Sequence, residues 1–314
     1  MKHRYAVEPL TRLLLPIDGS EPSERAVTFA ANLSAFIKDR IEHATILHII
    51  TGHYLSNHLG NVDLRAEIIL EDKTVKRLKK HYIETEINPM TENARGKFSR
   101  IAPGVNIDSK VFEGDTAEII ANTADKGHYS TIIMGRRGRS LVTEVLLGSV
   151  TSRLLHMDNI GTVYIVGNKV LGNLSSQILL IPLDGSPHAL SAIREAAILA
   201  KAGLGRIILL SVINIAYCAG RIEMGEDLRP ESEEIVNEGK RLLLEAGTEP
   251  EKIFTSIRYG RPADVVLKTA EEKGSSLILM GRQGRSTIRD ILLGSVSSEV
   301  IHRGVDPTIG IVTS

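Results

Sequence analysis

Several features are scarce in this 314-residue chain, and each scarcity excludes a class of protein. With one cysteine, Cys218, the chain cannot form an intrachain disulfide, which favours a reducing compartment. The apolar runs fall short of the roughly 18 residues that span a membrane, and the N-terminal segment lacks the apolar core of a signal peptide. Because 38 basic residues balance 38 acidic ones, charge favours neither nucleic acid nor an anionic membrane. We therefore expect a soluble, cytoplasmic protein.

What the chain does contain is a long internal repeat. The stretch MGRRGRSLVTEVLLGSV from Met134 returns as MGRQGRSTIRDILLGSV from Met280, an offset of 146 residues, whereas LPIDGS from Leu15 returns as IPLDGS from Ile181, an offset of 166. The offsets differ by 20, so the first copy carries about 20 additional residues, mostly within 51–104. A repeat this long that occurs twice indicates two homologous domains. We predict domains at 1–168 and 177–314 with a linker at 169–176.

Each copy alternates short apolar runs with helical patterns, which is typical of parallel strands covered by helices on both faces. Ser20 and Ser186 precede helical stripes and are suitable N-caps. Further helices are predicted over 116–126 and 149–156. The predicted strands are 13–17, 44–50, 107–113, 131–134 and 162–166 in the first copy, and 206–213 and 308–312 in the second. The predicted fold is α/β, with two tandem doubly wound parallel-sheet sandwiches.

The glycines of the repeat keep their places while the residues between them change. Gly135 and Gly138 directly follow a strand, where the chain turns sharply or lets a ligand approach its backbone. Gly148 and Ser149 begin a helix, whose free amides and positive dipole end favour an anion. This arrangement, present twice, predicts a site for phosphates at the carboxyl ends of the strands.

Both halves resemble universal stress protein domains, and the whole chain resembles the tandem type of that family in its ATP-binding branch. The likeness rests on the pattern G-x2-G-x9-G-S in each copy and on the Asp-Gly-Ser that follows the first strand. It implies adenine nucleotide alpha hydrolase-like, Rossmann-like sandwiches that bind ATP or AMP. The residues that the likeness implicates in the first half are Pro16, Ile17, Asp18 and Ile49 for the nucleoside, and Gly135, Gly138, Gly148, Ser149, Val150 and Thr151 for ribose and phosphates. In the second half they are Pro182, Leu183, Asp184 and Val212, then Gly281, Gly284, Gly294, Ser295, Val296 and Ser297.

Other nucleotide and hydrolase motifs are absent. The first strand is not followed by G-x-G-x-x-G, and the chain has neither a P-loop nor a G-x-S-x-G elbow. The loop arginines Arg136, Arg139, Arg282 and Arg285 are compatible with phosphate contacts or with solvated side chains. Histidines 43, 48, 53 and 58 recur every five residues, a step that places the first two on opposite faces of a strand, so we expect no metal site.

Three hypotheses about function remain. The first is a nucleotide-binding stress-response or signalling module without a catalytic residue, in which any Mg²⁺ is held through the phosphates. The second is a slow ATP hydrolase, and the third is an interaction protein that acts through the insertion, where 63–82 predicts an amphipathic helix. The resemblance also predicts that 162–166 pairs with 308–312 inside the chain, and it leaves homodimer formation and the protein partner open. Replacing Gly138 and Gly284 by alanine is expected to weaken nucleotide binding and spare the fold.

Overall fold

The computed structural model describes residues 8–51, 72–136, 148–157, 160–169, 171–284 and 293–313. These residues form one ten-stranded sheet. The first-half strands are β1 Arg12–Ile17, β2 His43–Ile50, β3 Asn106–Glu113, β4 Thr131–Gly135 and β5 Thr162–Val166. The second-half strands are β6 Ile178–Leu183, β7 Arg206–Ile213, β8 Ile253–Tyr259, β9 Leu277–Gly281 and β10 Thr308–Val312.

The strand order is β3-β2-β1-β4-β5-β10-β9-β6-β7-β8. Within each half every pair is parallel, and the order reverses between the first and fourth strands of the half. Helical crossovers connect parallel strands and cover both faces. The predicted doubly wound α/β fold is therefore confirmed.

The helices divide between the two faces of the sheet. They are α1 Glu21–Ile37, α2 Asp72–Tyr82, α3 Asn88–Ile101, α4 Thr116–Lys126, α5 Ser149–Leu155, α6 Pro187–Lys201, α7 Ile215–Glu223, α8 Arg229–Glu245, α9 Pro262–Lys273 and α10 Ser295–Arg303. Helices α1, α3, α6 and α8 contribute to one buried core, and α4, α5, α9 and α10 contribute to the other. Each core runs across both halves, so the sheet lies between two continuous apolar layers.

The first helix of each half begins at the predicted serine. The Ser20 hydroxyl accepts from the amide of Ser23 at 3.4 Å, and the Ser186 hydroxyl accepts from the amide of Ala189 at 3.3 Å. Each bond satisfies one of the amides that a helix leaves without a partner in its first turn. The caps fix where the chain leaves the strand and enters the helix.

The insertion contributes α2 and a π-helical turn, Ile83–Ile87, that leads into α3. The helix predicted over 63–82 is therefore seen from Asp72 onward, and its earlier residues lie outside the described part of the chain. Lys79 forms an ion pair with Glu113 at the end of β3, which ties α2 to its own half.

The two halves join through an antiparallel ladder between β5 and β10. Tyr164 lies opposite Gly310 in this ladder, with Ile165 opposite Ile309 and Val163 opposite Ile311. The predicted pairing of these strands inside the chain is confirmed. The segment before β6 also packs closely, because Asn32 of α1 donates to the carbonyl of Leu171 at 2.9 Å and the Leu171 side chain is buried. The domain boundaries at 168 and 177 stay a prediction.

A buried polar cluster crosses this junction. Glu195 of α6 accepts hydrogen bonds from Thr162 and Tyr164 of β5, both at 2.5 Å, and its side chain is fully buried. Phe29 of α1 packs against the Tyr164 ring, with centroids 5.6 Å apart. Burial raises the pKa of Glu195 above its usual value, while the two hydrogen bonds act in the opposite direction.

Candidate functional site

Each half contains a crevice where two parallel strands separate. The pairing of β1 with β4 stops at Leu14 and Ile132, although β1 continues to Ile17 and β4 to Gly135. In the second half the pairing of β6 with β9 stops at Leu180 and Ile278 in the same way. This is where the strand order reverses, and crevices at such points bind ligands in open α/β sheets.

The Asp-Gly-Ser turn forms one wall of each crevice. Gly19 and Gly185 both have φ of 76°, a left-handed conformation that favours glycine. Asp18 Oδ1 accepts from the Ser20 amide at 3.0 Å and from the Ser20 hydroxyl at 2.6 Å. Asp184 Oδ1 accepts from the Ser186 amide at 3.0 Å. The turn thus fixes one oxygen of each aspartate and orients the carboxylate.

In the second half the aspartate turn meets the glycine loop. A Cβ added to Gly284 would lie 2.5 Å from Asp184 Oδ2, so the second carboxylate oxygen faces this glycine. The Ser186 hydroxyl donates to the Gln283 carbonyl at 3.2 Å. Two segments almost a hundred residues apart in sequence therefore converge at one point. The corresponding Gly138 of the first half lies outside the described residues, as do Arg139 and Arg285.

The first glycine of each motif has a packing role. A Cβ on Gly135 would lie 2.5 Å from the backbone of Pro22, and a Cβ on Gly281 would lie 2.6 Å from the backbone of His188. Both contacts are far closer than a real Cβ allows, so the strand end can touch the first turn of α1 or α6 only without a side chain. Close helix packing, rather than a sharp turn or the approach of a ligand, therefore accounts for glycine at these two positions.

The helices after the glycine loops begin without a side-chain cap. Gly148 precedes α5 and Gly294 precedes α10, and no side chain in the described part of the chain accepts from their first-turn amides. The Gly294 amide itself donates to the Arg282 carbonyl at 2.9 Å. Ser149 and Ser295, the first helical residues, are exposed. The starts of α1 and α6 differ, because there a serine side chain accepts a hydrogen bond from a first-turn amide.

Two hydroxyl groups implicated in phosphate binding point into the protein. Ser297 donates to the Gly281 carbonyl at 2.9 Å, and Thr151 lies 3.7 Å from the sulfur of Met134. Both side chains are buried. At these positions the main-chain amides, rather than the hydroxyls, are the groups that face the start of the helix.

The remaining predicted residues are apolar and lie at the strand ends or, for Val150 and Val296, in the first turns of α5 and α10. Ile17 and Leu183 are buried, while Pro16, Ile49, Pro182, Val212, Val150 and Val296 are half-buried. The Ile17 carbonyl is 2.9 Å from Nδ1 of His48. Ser211 replaces this histidine in the second half and is likewise buried.

Arg136 and Arg282 were interpreted from the sequence as phosphate contacts or as solvated side chains. Their positions in the structure show a third arrangement. Both are buried, and both cross to the other half of the molecule. The Arg136 guanidinium donates to the carbonyls of Ile301, His302 and Gly304, and Arg282 donates to the carbonyl of Met157. The one sequence feature that could have indicated a shared structural role is that arginine follows the first glycine in both copies.

A metal site at the regularly spaced histidines finds no support among the described residues. They contain no group of three or more histidine, cysteine, aspartate or glutamate side chains suited to an ion. His43 Nε2 lies 3.3 Å from Asp108, whereas His48 is directed at Ile17, and His53 and His58 lie outside the described residues. Within the same part of the chain, every helix is too short or too polar to cross a bilayer.

Comparisons with known proteins agree with this architecture. A sequence model of the Universal stress protein family matches residues 9–158 and 176–307. A universal stress protein of Mycolicibacterium smegmatis is 24% identical over 313 residues, which covers 95% of each chain. One from Methanocaldococcus jannaschii is 30% identical over 154 residues, 46% of this chain and 89% of the relative. The crystal structure of a universal stress protein from Archaeoglobus fulgidus has a TM-score of 0.68 at 22% identity and covers 97% of both chains.

Proposed function

We propose that this chain, which belongs to the universal stress protein family, binds an adenine nucleotide in each of its two crevices and serves as a stress-response or signalling module. The observation that carries the proposal is the convergence in the second half of three features. They are the Asp184 carboxylate, Gly284 and the uncapped start of α10. A carboxylate beside a group of helix amides suits a ligand with hydroxyls at one end and negative charge at the other.

In this proposal each part of the crevice recognises a different part of the nucleotide. The apolar strand ends, Pro182, Leu183 and Val212, receive the adenine ring. The Asp184 oxygen that faces Gly284 accepts from a ribose hydroxyl. The amides of Ser295, Val296 and Ser297 donate to phosphate oxygens at the positive end of the helix dipole.

The described part of the first crevice has an equivalent aspartate turn, helix start and apolar strand ends. Asp18 is held by its own turn, α5 begins after Gly148 without a cap, and Pro16, Ile17 and Ile49 lie at the strand ends. Charge-assisted hydrogen bonds contribute about 1.5–3 kcal/mol each, so a few converging amides suffice for a phosphate tail. Any Mg²⁺ is held by the phosphates in this scheme.

The test is a pair of charge substitutions at the two helix starts. Ser149→Glu and Ser295→Glu each place a carboxylate where phosphate would sit, while acidic residues in a first turn favour the helix itself. Because both serines are exposed, the fold should be retained. Equilibrium binding of labelled ATP is expected to give two sites per wild-type chain, one in each single variant and none in the double variant.

Neutral variants of similar size provide the matched control. Ser149→Gln and Ser295→Gln should retain both sites, because they add bulk without charge. Equal ATP binding by the glutamate and glutamine variants would contradict the proposed phosphate position, as would adenosine binding as tightly as ATP. These substitutions test the phosphate contact alone. Gly284→Ala would not, because its new methyl group would also displace the Asp184 carboxylate. A product assay at saturating ATP separates simple binding from slow hydrolysis.

A further inference from the structure

Each glycine loop extends one arginine side chain into the opposite half of the molecule. Arg136, directly after Gly135, places its Nη1 2.8 Å from the Gly304 carbonyl and its Nη2 2.8 Å from the His302 carbonyl. These carbonyls lie at the C-terminal end of α10, in the opposite half. Arg282, directly after Gly281, reaches the Met157 carbonyl just beyond α5 at 2.9 Å. Each loop therefore contacts the far end of the helix that begins at the other half's glycine motif.

Helix α10 is thus held at both ends by residues of the two loops. At its start, the Gly294 amide donates to the Arg282 carbonyl at 2.9 Å. At its end, the Arg136 guanidinium binds three carbonyls, including that of Ile301. Nine residues separate these contacts, which is roughly 13 Å along a helix. The two contacts therefore form a continuous path of hydrogen-bonded groups from Arg136 through α10 to the start of the helix.

The chemistry of the Arg136 contact favours a firm attachment. The last carbonyls of a helix lack internal partners and carry the negative end of the dipole, which a guanidinium satisfies in both respects. Arg136 is also buried, so water competes little for these acceptors. Arg303, in the last turn of the same helix, instead directs its guanidinium to Asp264 and Glu299 within its own half.

We propose that Arg136 is a positioning residue for the second nucleotide site and that the two sites are thereby coupled, with Arg282 acting reciprocally on the first. Nucleotide bound in the first crevice fixes the main chain at Arg136, which holds α10 in position for the second phosphate tail. Binding at one site then strengthens binding at the other by the same factor in both directions. This inference rests on the proposed nucleotide binding.

The experiment measures ATP affinity at the second site when the first is blocked by Ser149→Glu. Adding Arg136→Met should weaken this affinity about three- to tenfold, although Arg136 belongs to the first half. Arg136→Lys should recover part of the loss, because lysine keeps the charge without the planar fork that reaches several carbonyls. Arg303→Met is the matched control, since it removes an arginine from the same helix end without touching the first loop, and it should leave the affinity unchanged.

A second comparison separates coupling from simple support of the fold. In the chain with native Arg136, blocking the first site with Ser149→Glu should itself lower affinity at the second site. With Arg136→Met in place, the same block should have no further effect. An equal effect of the block in both backgrounds, or an unchanged second-site affinity in Arg136→Met, would overturn the inference.

Amide hydrogen exchange provides a readout that needs no nucleotide. Arg136→Met should raise the exchange rate of the α10 amides about three- to tenfold, and Arg303→Met should not. If wild-type protein binds no nucleotide, the proposed function fails, and the exchange measurement still tests the link between Arg136 and α10. Unchanged exchange in Arg136→Met would then overturn that link independently.

Discussion

The two halves differ at a pair of residues that face each other where the halves meet. Tyr164 of β5 lies opposite Gly310 of β10, although these residues hold equivalent places in the repeat. The helices that flank this pair differ as well, since Phe29 of α1 corresponds to Glu195 of α6. The Tyr164 phenol therefore lies between the halves, where its ring contacts Phe29 of the first half and its hydroxyl donates to Glu195 of the second.

This difference follows from the geometry of a near-twofold junction. Two tyrosines opposite each other would compete for one space, and two glycines would leave that space empty. Two second halves paired together would also leave Glu195 without the phenol that donates to it. The unlike residues therefore favour pairing of first half with second half over pairing of like halves.

Among the changes at this junction, removal of the Tyr164 phenol is expected to lower the stability of the fold most. Tyr164→Ala is expected to lower the free energy of unfolding by about 4 kcal/mol, because it leaves a cavity in the core and removes a hydrogen bond from Glu195. Tyr164→Phe, which keeps the ring, should lose only about 1–2 kcal/mol. Urea denaturation of both variants checks the prediction, and equal losses would show that packing of the ring contributes little.

A methyl group on the opposite strand should have a smaller effect. In Gly310→Ala the new Cβ would lie 2.6 Å from a methyl of Leu279 and 2.9 Å from the Tyr164 ring, so we expect a loss of about 2 kcal/mol from overpacking. Gly220→Ala is the control, because its Cβ meets no atom and alanine favours a helix. The Gly310→Ala loss should shrink when Tyr164 is already alanine, and a fully additive double variant would argue against direct contact.

The smallest expected effect concerns pH. Burial raises the pKa of Glu195, so folding favours its protonated form. The stability linked to this carboxyl is fully present below its unfolded pKa, near 4.5, and decreases as pH rises through the folded pKa. Glu195→Gln does not titrate there. The free energy of unfolding of the wild type, minus that of Glu195→Gln, should therefore fall with rising pH, and a constant difference would show that Glu195 keeps an ordinary pKa.

The strands that were predicted, seven of the ten observed, have a local signal in the sequence. A parallel strand that is covered on both faces must be apolar throughout, and Thr162–Val166 and Thr308–Val312 were placed at their observed bounds. The helix starts after Ser20 and Ser186 were predictable for the same reason, because a capping hydroxyl binds an amide only three residues away. Family membership was predictable from the repeated glycine motif, whereas the position of the binding site stays a prediction.

The packing around the candidate site was not predictable in this way. The reason for glycine at position 135 is the approach of Pro22, which is distant in the sequence. Likewise, a pattern of residues cannot show that Arg136 ends at a helix of the other half or that Ser297 turns toward Gly281. The contacts of Gly135 and Ser297 depend on how the elements of one half pack together, and the contact of Arg136 depends on how the two halves dock.

The ladder between β5 and β10 also has a consequence for synthesis. The ribosome completes Val166 long before it reaches Thr308, so β5 emerges as an open edge with five residues that are buried in the finished molecule. At typical elongation rates this interval lasts on the order of 10 seconds. During that time the nascent first half exposes an unpaired, apolar strand, the kind of surface that chaperones protect and that other nascent chains can capture. Translation speed through the second half therefore sets how long this edge stays open.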